Sequence, residues 1–199
     1  TEGSCDLLLA YHHASQPLQL NPQRYEHLCL GTETLAPYAR AGSDGEPLFR
    51  LPGRQNDRVP YLGYASGAYL GRMVDLLLKQ SSDALYLEPI YETDMAEGLK
   101  AMALEGHGLA FLPASSVRKE VSVRRLVPAG PRQAQQAFEV TIEVRLYRER
   151  PEVSRHNKPA AQALWDFLKL DLQRRQTDAA SAAMDQHRLP LFEPRQFDQ

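Results

Sequence analysis

Met95 lies in the run YETDMAEGLKAMALEGHGLAFLP, residues 91–113, where a second methionine, Met102, shares its short helical pattern. A thioether is soft and apolar, and its distinctive chemistry is reversible oxidation to a polar, chiral sulfoxide. Thr93 and Asp94 precede Met95. Asp94 is set to cap a helix and Glu97 to close a capping box, which puts Met95 in the first turn. Leu99 and Met102 follow on one stripe, and Met102 reads as core packing. Met95 admits two readings, packing or lining a site, because ligands of open α/β sheets lie outside the carboxyl ends of strands, where helices begin.

A second helix start, GYASGAYLGR at 63–72, has similar geometry with better anion chemistry. Ser66 is placed to cap and Gly67 to let a ligand approach, while the first backbone N–H groups carry the positive end of the helix dipole. Tyr64, Tyr69 and Arg72 add two hydroxyls and a charge. The same residues also read as an ordinary serine cap with no ligand. His12 and His13 end a strand, and adjacent strand residues point to opposite faces, so the pair does not chelate jointly. They read as structural or cleft-lining, and no metal or cofactor is expected. No G-x-S-x-G, P-loop or Cys-His signature occurs, and GHG at 106–108 is too short for a dinucleotide fingerprint, so no enzyme is expected.

The elements that must position these groups alternate between strand-length apolar runs and helical periodicity, the pattern of an α/β sheet with helical crossovers. CDLLLAYHH is a strand, QRYEHLCLGTETLAPYAR holds a second and a third, and VPYLGY is another. GAYLGRMVDLLLKQ is a helix, ALYLEPIYE a strand, and GLAFLP the strand after the Met95 helix. EVTIEVRLY alternates, with Val140, Ile142, Val144 and Leu146 on one face. A last helix starts near Pro159 and carries Leu164, Phe167 and Leu168 on a stripe. The tail after Gln176 reads as disordered or docked on a neighbour.

With 199 residues the chain is long enough for one domain or two small lobes. Its formal charge of -2, with mixed signs, gives no electrostatic footprint for a nucleic acid. No apolar run reaches the roughly 18–20 residues that span a bilayer, and no signal segment opens the chain. Cys5 and Cys29 are too few for a disulfide framework and read as free thiols of a reducing cytoplasm, although one bridge is compatible with the sequence. The chain runs into a strand almost at once and is expected to be part of a longer protein.

EGSCDLLLAYHH resembles the l-x-x-G-x-x-D-l-x-i strand of LysR-type transcriptional regulators, and LKAMALEGHGLAFLP is similar to that family's l-x-x-V-a-x-G-x-G-I-a-x-L-P run. The resemblance covers about residues 1–170. It implies two Rossmann-like lobes joined by crossover strands, like type 2 periplasmic binding proteins, with a small-molecule effector between them. Lobe I would be 1–28 and 149–176, incomplete at its N-terminus, lobe II 29–148, and 177–199 a tail. It also implies a helix-turn-helix domain outside this sequence that binds operator DNA, and homodimers or homotetramers, without membrane association.

Within the family the chain looks most like the hypochlorite-responsive branch, and the methionine at the start of that branch's helix carries over to Met95. The expected function is thus effector sensing, either of an oxidant through Met95 or of a small anion at Ser66, Gly67 and Thr93. Asp94, Tyr64, Tyr69 and His12 complete the expected site. A transporter's solute-binding protein shares the architecture and is the alternative.

Overall fold

A computed structural model describes residues 5–81, 84–133, 138–154 and 158–186. Eleven elements follow in order: β1 (Leu7–His12), β2 (Tyr25–Arg40), β3 (Val59–Tyr64), α1 (Tyr69–Gln80), β4 (Leu87–Thr93), α2 (Ala96–Leu104), β5 (Leu109–Pro113), α3 (Ala114–Ser122), β6 (Leu126–Pro128), β7 (Val140–Glu149) and α4 (Pro159–Gln186). The strand order is β1-β7-β2-β5-β3-β4, with β6 also paired to β2. Two compact units result. The first holds Thr1–Leu8, Asn21–Leu28 and Tyr147–Gln199, and the second Leu9–Leu20 and Cys29–Leu146. Strands β1, β2 and β7 each carry residues of both units.

The second unit is built on β5, whose five residues are all buried. It runs antiparallel to β2, with Leu35 opposite Pro113 and Tyr38 opposite Ala110, and parallel to β3, with Leu62 opposite Ala110. β3 in turn runs parallel to β4, which brings Tyr64 beside Thr93. A strand walled in on both faces loses its polar alternation, which is why LAFLP reads as a continuous apolar run. Leu99 and Ala103 of α2, and Met73, Val74 and Leu77 of α1, are buried in the same core.

Glycine chemistry shapes the entry to β5. The α2 helix ends in a Schellman motif, with His107 N–H donating to the Met102 carbonyl and Gly106 N–H to that of Ala103, and Gly106 sits at φ +82°. Gly108 serves another purpose, since a Cβ there would stand 2.7 Å from the Pro60 carbonyl oxygen. It lets β5 press against β3.

The first unit centres on Trp165 of α4, which is 2% exposed. Arg148 lies over its ring, 4.2 Å from guanidinium carbon to centroid, and donates to Glu26 at 2.7 Å and to Gln162 at 2.9 Å. The helix begins at Pro159 as its sequence indicates, but of the expected stripe only Leu168 faces inward. Leu164 and Phe167 are 47% and 66% exposed, and the sheltered side runs through Ala161, Trp165, Leu168 and Leu172. A single tryptophan outweighs two smaller side chains in choosing the buried face. The helix also continues to Gln186, through part of the expected tail, whose remainder lies outside the described residues.

Other elements differ from expectation. QRYEHLCLGTETLAPYAR forms one strand of 16 residues instead of two. Neither α3 nor β6 announces itself in the sequence, because α3 buries only Val117 fully and β6 is three residues long. The alternation of β7 holds at Ile142 and Leu146 and breaks at Tyr147, which is buried as well.

Candidate functional site

The β3–β4 pairing sets the two helix starts side by side. Ala65 N–H donates to the Thr93 carbonyl at 2.9 Å, tying the loop that leaves β3 to the end of β4. α1 then begins at Tyr69 with Ala68 as its N-cap and without a side-chain cap. Ser66, which the sequence suggests as the cap, therefore lies two residues upstream of the observed cap position. Its N–H is already engaged by the Glu92 carboxylate at 2.9 Å. Gly67 adopts φ +94°, which a glycine takes without penalty, and open space surrounds it. Arg72 donates to the Gly67 carbonyl and lies 5.6 Å from the Tyr69 ring centroid.

Aromatic groups crowd behind this start. Tyr69 stacks on Tyr11 with centroids 6.1 Å apart, which brings the end of β1, where half-buried His12 lies, toward α1. Tyr64 is 8% exposed, and its hydroxyl is buried without a hydrogen-bond partner among the described residues. Burial raises the Tyr64 hydroxyl pKa well above its ordinary value, and that of Tyr61, beside the Asp75 charge, rises likewise.

The Met95 helix starts one residue later than its capping box indicates. Met95 is itself the N-cap, at φ -104° and ψ 117°, and no side chain caps the helix. Its N–H donates only a long 3.3 Å hydrogen bond to Thr93 Oγ1. Asp94 is exposed beside it, and Glu97 pairs with Lys100 instead of reaching back. Met95 is consequently off the buried stripe. Its side chain is 62% exposed, whereas Leu99 and Met73 are fully buried and Met102 packs half-buried against the core.

Two functional candidates escape the sequence reading. Glu92 is one. The other is Glu33, 9% exposed, which accepts from Ser115 N–H at 3.2 Å and from the Ser115 hydroxyl at the first turn of α3. A glutamate at an inward position of the strand run GTETLAP is the only local hint.

An α/β body in which helices start side by side at the carboxyl ends of parallel strands has the build of an effector-receiving domain of the type 2 periplasmic-binding-protein class. The chain belongs to the LysR family, whose substrate binding domain matches residues 1–173. It is 27% identical over 168 residues to the HTH-type transcriptional regulator YjiE of Escherichia coli K12, covering 84% of this chain and 50% of that one. Among solved structures it is similar to full-length HypT of Salmonella typhimurium, described as a hypochlorite-specific LysR-type transcriptional regulator. The identity is 26%, the TM-score 0.69, and the match covers 84% of this chain and 52% of that one. Vibrio fischeri DarR, solved in complex with DNA, is 29% identical with a TM-score of 0.66 over 84% of this chain and 51% of that one. The chain thus spans about half the length of these relatives. The family assignment does not favour a transporter's solute-binding protein.

Proposed function

We propose that this effector-binding domain senses an oxidant of the hypochlorite type through Met95. The single observation that carries the reading is a methionine that is 62% exposed at the uncapped start of α2, while Met73 is fully buried. Oxygen transfer from hypochlorite to Sδ oxidises the sulfur by two electrons and releases chloride. The product places a strong acceptor oxygen on an N-cap residue whose side chain has none. Helix starts present unsatisfied N–H donors and favour N-cap side chains with an oxygen, so the sulfoxide has a ready set of partners. Resemblance to the regulator described as hypochlorite-specific supports the same reading.

The alternative ligand, a small anion at Ser66, Gly67 and Thr93, is less well supported. Glu92 occupies the Ser66 N–H, and with Asp94 it sets two carboxylates against the one guanidinium of Arg72. In the whole protein, an N-terminal domain outside this sequence would bind operator DNA, and the domain would act within a cytoplasmic homodimer or homotetramer without enzymatic activity. Its conformational bias would shift by the difference in how the two states receive the sulfoxide.

Treatment with stoichiometric hypochlorite, followed by peptide mass spectrometry, tests the proposal. Met95 sulfoxide should form well before Met73 sulfoxide, and Met95→Leu should abolish the response of operator binding. An undiminished response in Met95→Leu would refute the reading.

A further inference from the structure

A second concave site lies at the other end of the same sheet. Tyr64 and Thr93 end their strands together, whereas Arg40 ends β2 two residues beyond Tyr38, which pairs with Ala110 near the start of β5. There a cavity of about 300 Å³ is lined by Arg40, Ala41, Gly42, Leu104, Glu105, Arg124 and Arg125. It is formed wholly by the second unit.

Three arginines line this cavity, and none of them forms an ion pair among the described residues. Nearby cations behave differently: Arg50 and Arg132 both pair with Glu46, and Lys100 pairs with Glu97. Arg40 reaches the Glu105 carbonyl at a long 3.4 Å, which leaves most of its donors uncommitted.

The backbone beneath Arg124 is the independent sign. α3 closes with a Schellman motif, Arg125 N–H donating to the Glu120 carbonyl at 2.8 Å and Arg124 N–H to that of Val121 at 3.0 Å. The left-handed position of this motif normally belongs to glycine, as Gly106 illustrates on α2. Here it is held by Arg124 at φ 55°. The fold thus carries a strained arginine where a glycine closes the turn more easily, and the motif sets two consecutive arginines in the lining of one cavity. Gly45 leaves room for Arg124, since a Cβ there would stand 3.1 Å from Arg124 Nη2.

We propose that this cavity is a binding site for a small phosphate-type polyanion, separate from the Met95 site. Guanidinium forks match phosphate oxygens in geometry and charge. Glu105 and the carbonyl ends of α2 and α3 offset part of the positive charge. A dianion or higher is therefore preferred to a halide or monocarboxylate, and Glu105 favours a ligand that presents a hydroxyl or amine donor.

The test is titration of the full chain with inorganic pyrophosphate by calorimetry, at low and at physiological salt. Saturable binding at one site per chain is expected. Arg125→Ala and Arg124→Gly should each weaken it about tenfold, the loss of one charge-assisted contact. Arg118→Ala, on α3 but outside the cavity, should leave it unchanged. Because glycine suits the left-handed position, Arg124→Gly should melt no lower than the wild type, which separates lost binding from lost structure. Absence of saturable binding, or binding that survives the double substitution at 124 and 125, would overturn the proposal, as would saturation by chloride at equal strength.

Discussion

The Glu33 carboxylate caps the start of α3 from 82 residues away in the chain, accepting both the backbone N–H of Ser115 and its hydroxyl. A nearly buried acid is held here by the positive end of a helix and by charge-assisted hydrogen bonds. The carboxylate also accepts the Thr34 N–H at 2.9 Å, so Glu33→Ala strips the partner from three donors and should cost about 1–3 kcal/mol. Urea unfolding of the two single variants and the Glu33→Ala/Ser115→Ala double variant checks this. The double variant should lose less than the sum of the singles.

Gly108→Ala should destabilise by about 1–3 kcal/mol, the range for overpacking, because the added methyl meets the Pro60 carbonyl at 2.7 Å and neither backbone can yield without disturbing the β3–β5 pairing. Gly67→Ala provides the contrast. Open space surrounds that position, so its smaller penalty comes from φ +94° alone. Thermal melts of both variants separate a packing penalty from a conformational one.

Alkaline pH should destabilise the second unit through Tyr61 and Tyr64. Burial raises the pKa of both hydroxyls above the unfolded value near 10. Above that value the unfolded chain releases protons that the folded chain retains. Stability contributed by the neutral phenols is therefore complete below pH 10 and is lost as pH rises toward the folded pKa. Absorbance of tyrosinate at 295 nm should show these two residues titrating only with unfolding, and Tyr64→Phe should flatten the fall.

Arg148→Lys should destabilise the first unit by about 1–3 kcal/mol, since lysine retains the charge yet loses the planar fork that reaches Glu26 and Gln162 while lying on Trp165. Trp165 is the sole tryptophan. Its fluorescence during urea unfolding therefore reports this unit directly.

Local signals were legible in the sequence and distant ones were not. Gly106 ends α2, Met102 packs on the core, and β5 is buried end to end, all features written within a few residues. The capping box misplaces its helix start by one residue because Asp94 remains exposed and Glu97 turns to Lys100. That shift matters to the site, since it turns Met95 from a stripe residue into an exposed N-cap. Glu92 on Ser66 and Glu33 on Ser115 join residues 26 and 82 positions apart, and no short-range pattern encodes such pairs.

The interleaving of the two units also fixes an order of events during synthesis. Every residue of the second unit has been made once Leu146 is added, whereas the first unit still awaits Tyr147 onward, including all of α4. The unit that carries Met95 can thus begin to fold on the ribosome while the early segments of its companion wait for Trp165.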